Sequence, residues 1–363
     1  ACHTARGGAM YAGGRAIPTP FGTLYAPNIT PDKDTGIGGW SADDFWRALH
    51  NGKGRDGRLL YPAFPFPNYT KVTREDSDAM HAYFLSLPPV RRANHAHELK
   101  FPFDQRWLLT GWRALYFRPG VYEKEAQQTA EWNRGAYLVQ GLGHCNACHT
   151  PRNALGATKR GGAMIPILGW YASSLTGESD VGLGGWKVDQ LTDLLHTGVS
   201  AQGAVSGPMA EVVQQSLQHL SREDVQAMAV YLKSLPQSQV EDAEAGANAD
   251  EQTLKIGGSL YEKHCATCHG ADGKGDPPGY PPLAGSRAVV LSSPVNPIRM
   301  VLHGGYAPST RGNPRPFGMP PFGALLNDDD VAALVTYVRN SWGNHASAVS
   351  AAQVNQYRTV PLD

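Results

Sequence analysis

The chain has 363 residues, long enough for two or three domains with separate cores at roughly 100 to 200 residues each. Lys plus Arg and Asp plus Glu balance at 32 each, which removes the basic footprint that nucleic acid requires and leaves no net field to steer a charged polymer. The 41 glycines and 27 prolines, with charged residues at only 18%, point to irregular backbone between short helices, and apolar runs such as Ala288 to Leu291 fall far below the roughly 20 residues of a membrane span.

In chain order, the first readable feature is Ala1-Cys2-His3. A helix start follows at Thr73-Arg-Glu-Asp, a hydroxyl cap with acids in the first turn where the helix dipole favours them. From Phe103 to Pro119, apolar residues at Leu108, Leu109, Trp112, Leu115 and Tyr116 predict an amphipathic helix capped by Asp104 and stopped by Pro119. Its apolar side either packs on neighbouring domains or meets a partner or membrane surface. Ala136-Tyr137-Leu138-Val139 reads as the end of a helix running into Cys145. Ser221-Arg-Glu-Asp repeats the cap signal. The acidic, alanine-rich stretch 237–252 reads as a solvated linker. Leu254, Ile256, Leu260 and Tyr261 predict a second helix running into Cys265, and Asn327-Asp-Asp-Asp is the third cap.

The five cysteines are Cys2, Cys145, Cys148, Cys265 and Cys268. Four form two copies of one pattern, Cys145-Asn-Ala-Cys148-His149 and Cys265-Ala-Thr-Cys268-His269. Two thiols at this spacing reach the two vinyl groups of one porphyrin, and the next residue supplies an imidazole to the iron, so the pattern is that of covalent c-type haem attachment. A redox pair of the thioredoxin kind needs no histidine, and a disulfide framework does not place one after every second cysteine. Ala1-Cys2-His3 matches Ala147-Cys148-His149, which places the missing cysteine of a third copy two residues before Ala1. No signal peptide is visible, and a start inside a motif is compatible with the loss of one.

An internal repeat tests this register. At a constant offset of 146, Gly36 to Trp40 meets Gly182 to Trp186, Phe45 meets Leu191, and Leu49, His50 and Gly52 meet Leu195, His196 and Gly198. Arg74-Glu75-Asp76, Met80 and Tyr83 then meet Arg222-Glu223-Asp224, Met228 and Tyr231 at offset 148. A more divergent third unit carries Leu302-His303, Asp329-Asp330-Val331, Leu334 and Tyr337. The expectation is an all-α chain of three tandem haem domains with long Gly/Pro-rich loops: residues 1–100, a connecting helical segment 101–133, residues 134–236, the linker 237–252, residues 253–345 and a tail 346–363. Cys2, Cys145, Cys148, Cys265 and Cys268 are the expected anchors of three haem c groups, with His3, His149 and His269 as axial ligands.

A second axial ligand of the thioether type raises a haem potential. Met209 follows Pro208 and Met319 precedes Pro320-Pro321, both in loops rich in proline and glycine, and both are expected ligands; Met164 is a rival in the second domain. In the first domain the matching loop, Tyr61 to Pro67, has Phe64 where a methionine is expected. Met80 has Met228 and Leu334 as repeat mates, which suggests packing. His50 recurs as His196 and His303, which suggests a structural role near a helix end. His81, without a histidine mate, and Met10 stay open.

Three stretches, Thr19 to Gly38, Asp56 to Ala63 and Trp132 to Arg152, resemble the three-haem cytochrome c subunits of bacterial membrane-bound dehydrogenases, and the likeness runs over nearly the whole chain. It implies class I cytochrome c domains and a dehydrogenase catalytic subunit as partner, of molybdopterin, PQQ or FAD type. It also implies electron flow to ubiquinone at the periplasmic side of the inner membrane, against the membrane surface. Many members have methionine where this chain has Phe64, so ligation at the first haem does not carry over. Phe64 and the Trp107 to Pro119 segment are most similar to cytochromes paired with molybdenum aldehyde oxidoreductases. A carrier feeding a terminal oxidase and a haem peroxidase are the alternatives.

Overall fold

The structure, a computed structural model, describes residues 2–157, 162–165, 168–175, 183, 185–236 and 249–360. The chain divides into two compact units, one of residues 1–147 and 152–159 and one of residues 148–151 and 160–363, so the division falls inside the second cysteine pattern. The described residues are mainly helical, as expected. They also carry a three-stranded and three two-stranded antiparallel sheets of very short strands, which the all-α expectation omits. Most of the linker 237–252 lies outside the described residues.

In the first unit the helix Ala42–Asn51 starts at a reciprocal cap: the Asp44 N–H donates to Ser41 Oγ at 3.1 Å and the Ser41 N–H to the Asp44 carboxylate at 3.0 Å. It ends at Gly52, whose φ of 57° and whose contact with Phe66, 2.6 Å from where a Cβ would stand, both demand glycine. The helix buries Phe45, Ala48 and Leu49. The helix Arg74–Ser86 is capped by Thr73, which accepts from the Asp76 N–H at 3.2 Å. Ile37, Phe45 and Leu49 form a core on which Phe64, Tyr69, Met80 and Phe84 pack. The strands Ala16–Thr19, Gly22–Tyr25 and Glu98–Leu99 close one side loop.

The connecting helix is Leu108–Tyr116, and Asp104 does not cap it: the cap position is Trp107, which makes no side-chain hydrogen bond. Asp104 lies in a turn three residues before the cap position. The helix stops at Phe117, before Pro119, as expected. Its apolar stripe splits. Phe117 is buried at 4.9 Å from Phe66 and the Trp112 indole N–H donates to the Leu155 carbonyl at 2.9 Å, whereas Trp107 and Leu115 are 70% and 68% exposed. The helix Ala130–Tyr137 widens into a π-turn, Leu138–Leu142, before Cys145. Tyr137 donates to the Asp76 carboxylate, tying this helix to the start of Arg74–Ser86.

In the second unit the helices Val188–Thr197 and Arg222–Ser234 pack on each other through Leu191, Leu195, Val225, Met228 and Ala229. Ser221 caps the latter. The helices Glu251–His264 and Asp328–Arg339 cross closely around Tyr261, Val331, Leu334 and Val335. A Cβ on Gly257 would stand 2.2 Å from the Ala333 carbonyl oxygen and 2.6 Å from Tyr337 Cβ. Arg339, fully buried, donates to the carbonyls of Val289 at 2.6 Å, Leu291 at 2.8 Å and Ser347 at 3.0 Å, so its charge is matched by backbone dipoles.

The crossing at Gly257 yields a prediction. Gly257→Ala should destabilise the chain by about 1–3 kcal/mol through overpacking, read as a lower Tm. Gly111→Ala, at a helical glycine with nothing within 4 Å, should leave Tm unchanged or raise it. Equal effects from the two would show that the crossing tolerates a methyl group.

Candidate haem-binding sites

The two complete cysteine patterns each fold as a single helical turn, Asn146–His149 and Ala266–His269. In the third pattern the N–H groups of Cys268 and His269 both reach back to the Cys265 carbonyl, at 3.1 and 2.9 Å. That turn separates the two thiols. Cys265 packs against the apolar core beside Tyr261, and Cys268 is exposed. Burial, reinforced by the nearby Cys268, pushes the Cys265 thiol up to about 11, so it rests as the uncharged thiol. The entry to the second pattern differs. The Gly143 N–H reaches the Leu138 carbonyl at 2.7 Å and the Cys145 N–H reaches Val139 at 3.2 Å, wider spans than the α-helical Cys265–Tyr261 bond of 2.8 Å.

One contact recurs at all three patterns. His3 Nδ1 lies 2.8 Å from the Pro27 carbonyl oxygen, His149 Nδ1 2.6 Å from that of Ser173, and His269 Nδ1 3.0 Å from that of Pro281. A carbonyl only accepts, so Nδ1 carries the proton in each ring and Nε2 of the neutral imidazole is left with a free lone pair. Burial pushes all three imidazoles below the ordinary histidine range, which keeps that lone pair unprotonated. This is the donor state an iron ligand needs, with the ring orientation already fixed by the backbone. Among the described residues no group of three or more His, Cys, Asp or Glu side chains is placed to hold a metal ion. Each pattern offers one imidazole, beside two thiols at the two complete patterns and beside Cys2 alone at the first, which fits an iron whose equatorial donors come from a porphyrin.

Met209 and Met319 stand elsewhere than expected in secondary structure. Met209 is in the first turn of the helix Pro208–Gln215 rather than in a loop, because Pro208 at the first helical position starts a helix as readily as it ends one. Met319 lies in a short strand, paired with Gly305, and packs half-buried on the core that also holds Cys265. Met164 is in the strand Ala163–Ile165 and 40% exposed. At the first pattern, Tyr69 lies close enough to Cys2 to feel its charge and packs on Phe64 at 5.4 Å, so Phe64 reaches this site through Tyr69. Met80 shares the Phe64 core, and Met10 is 66% exposed.

His81 is 7% exposed, its ring tilted against Phe45 at 5.2 Å, and its Nε2 has no hydrogen-bond partner among the described residues. Ser77, one turn earlier, is equally buried with an unpartnered hydroxyl. His50 is a structural residue, its Nδ1 donating to the Thr70 carbonyl at 3.0 Å and its ring stacked on Trp46 at 4.6 Å. His303 donates through Nε2 to the Tyr357 carbonyl at 3.1 Å, and His196 likewise sits in the last turn of its helix. The carbonyls of Pro27, Ser173 and Pro281 have no side-chain signature and were invisible in the sequence. The Tyr261 hydroxyl, which donates to the Gly270 carbonyl at 2.6 Å and braces the turn after His269, was signalled only by its helical periodicity.

The Cytochrome c family profile matches residues 254–342. The chain is 41% identical to the gluconate 2-dehydrogenase cytochrome c subunit of Pantoea cypripedii, over 97% of this chain and 85% of the relative. It is 40% identical to the cytochrome c subunit of the quinone alcohol dehydrogenase of Gluconobacter oxydans (strain 621H), over 99% and 79%. It is 36% identical to the fructose dehydrogenase cytochrome subunit of Gluconobacter japonicus, over 100% and 81%. No helix among the described residues is long and apolar enough to cross a membrane.

Tyr261→Phe tests the brace behind His269. Loss of its hydrogen bond should cost about 1 kcal/mol in thermal unfolding. An unchanged Tm would show that the turn does not depend on this hydroxyl.

Proposed function

Because the chain belongs to the family of cytochrome c subunits of dehydrogenases, we propose that it carries three covalently bound haem c groups in three tandem domains. In this reading it passes electrons from a dehydrogenase catalytic subunit to ubiquinone, at the periplasmic side of the inner membrane. When bound, haem iron supplies one-electron redox chemistry. The chain supplies the rest: Cys145 and Cys148, Cys265 and Cys268, and Cys2 anchor the groups, and His3, His149 and His269 present Nε2 to the iron. Met209 and Met319 are the proposed second ligands of the second and third haems, where a thioether raises the potential.

What supports this reading above all is the threefold recurrence of the Nδ1–carbonyl bond at the three motif histidines. A histidine in a redox or structural cysteine pair has no need of a fixed tautomer. An array of three such sites suits relay better than turnover, since a peroxide enzyme works at one open iron. Balanced net charge suits docking to a partner by shape rather than by long-range steering.

Purification of the native complex should bring down a larger catalytic subunit and three haems per chain by haem assay; a chain isolated alone with fewer than three would overturn the reading. Met209→Ala and Met319→Ala should each lower one midpoint potential in a potentiometric titration and leave the other two in place. An unchanged set of potentials would sink the ligand assignment.

A further inference from the structure

The strand Trp170–Ala172 and the residue after it touch both the second cysteine pattern and the helix Val295–His303. The Ser173 carbonyl accepts from His149 Nδ1 at 2.6 Å. Tyr171 exchanges two hydrogen bonds with Asn296, its N–H donating to the side-chain oxygen and its carbonyl accepting from the side-chain nitrogen, both at 2.9 Å. Asn296 stands on the helix Val295–His303, as does Arg299, whose guanidinium carbon lies 5.0 Å from the centre of the Trp170 ring. The strand is thus pinned at one end to the second cysteine pattern and along its length to the helix that leads into Gly304 and Gly305.

Trp170 itself is 4% exposed and borders both methionine segments. It presses on Gly207, where a Cβ would stand 2.6 Å from the indole; Gly207 precedes Pro208-Met209. It also lines a cleft of about 220 Å³ together with Gly207, Ala210, Met300, Gly304, Gly305 and Tyr306. Gly305 pairs with Met319, and a Cβ on Gly304 would stand 2.3 Å from the Met319 carbonyl oxygen. The indole N–H has no hydrogen-bond partner, so the ring is placed by shape and by Arg299 rather than by a polar anchor. A buried indole that leaves its donor unmet accepts a cost for its position, and the two glycine-bearing segments are what it touches.

We propose that Trp170 is a shared positioning residue for Met209 and Met319, so that one side chain sets the seat of two axial thioethers in adjacent domains. This rests on the ligand assignment made above. With the indole in place, Gly207 can hold only the backbone path that opens the Pro208–Gln215 helix, and Gly304-Gly305 can hold only the path that pairs with Met319. Removing the ring enlarges the cleft that both segments border and frees both of them. Because shape and the Arg299 guanidinium over its face place the ring, a smaller aromatic should replace it and an aliphatic should not.

The test is a potentiometric titration of the purified haem-loaded complex, with Trp170→Leu, Trp170→Phe, Met209→Ala and Met319→Ala measured side by side. Trp170→Leu should lower two of the three midpoint potentials, the same two that Met209→Ala and Met319→Ala lower singly, and weaken the spectroscopic signature of thioether ligation at both. Trp170→Phe should restore most of both. Haem content and far-UV circular dichroism identify a variant that has failed to fold, and Gly207→Ala, which presses on an intact indole, then serves in place of the leucine variant. If the methionine variants shift potentials but neither Trp170→Leu nor Gly207→Ala does, or if Trp170→Leu shifts only one, the shared role is overturned while the ligand assignment stands. If the methionine variants shift nothing, the assignment itself fails and this proposal with it.

Discussion

A proton held on Nδ1 by a backbone carbonyl governs the layout of the chain. For Nε2 of His3, His149 and His269 to be a free donor, the backbone must leave each histidine and return to it with an unpaired carbonyl, 24, 24 and 12 residues later. That carbonyl must not be spent in a helix. Prolines at Pro27 and Pro281 keep the returning backbone extended and out of helix, and glycines let it turn tightly. The high glycine and proline content follows from this requirement. It is the cost of presenting three backbone acceptors in the right place rather than a sign of missing structure.

The helices serve this arrangement. At Thr73, Ser221 and Asn327, as at Ser41, Thr129, Asp250 and Ser350, a helix starts at a side chain that accepts the N–H three residues on. This fixes where each long helix begins and therefore which face it buries. In the second unit the close crossing at Gly257 brings Tyr261 and Trp342 to 4.8 Å, and both donate to carbonyls in the turn after His269, at Gly270 and Ala271. Helix packing and histidine placement are thus one piece of engineering. A shift of the crossing moves the hydroxyl and the indole that hold the loop.

Much of this was legible in the sequence and some was not, for physical reasons. The cysteine patterns and the helix caps were readable because each is a local rule with a side-chain signature. Asp104 failed as a cap because a cap is a matter of backbone geometry, and the chain around Phe103 turns too early to use it. Met209 was assigned to a loop because proline reads as a breaker, whereas at the first turn of a helix it is favoured. The short strands were missed because two- to four-residue pairings leave no alternation to detect. The three carbonyl acceptors and the role of Trp170 were beyond any sequence reading, since they depend on which loop returns to which ring.

The first pattern departs from the other two in a way that goes deeper than Phe64. On the helix Arg74–Ser86, Ser77 and His81 stand where the second repeat has Val225 and Ala229 and the third has Val331 and Val335, all buried. Two apolar positions one turn apart have both become polar, and both keep an unpartnered atom in the interior. Such a pair costs stability that valine and alanine would not, on the order of 1–3 kcal/mol for each unmet group. Phe64 alone could be a conservative packing change. Together with Ser77 and His81 it shows that the whole core behind the first pattern, with Phe45 and Tyr69 at its centre, is built from different chemistry than its counterparts. In the proposed relay, an environment that exchanges a thioether for aromatic rings and places an imidazole in the core beneath them does not hold a haem at the same potential as its neighbours. An asymmetry of the proposed relay would thus have its physical basis in the interior behind the first pattern as well as in Phe64.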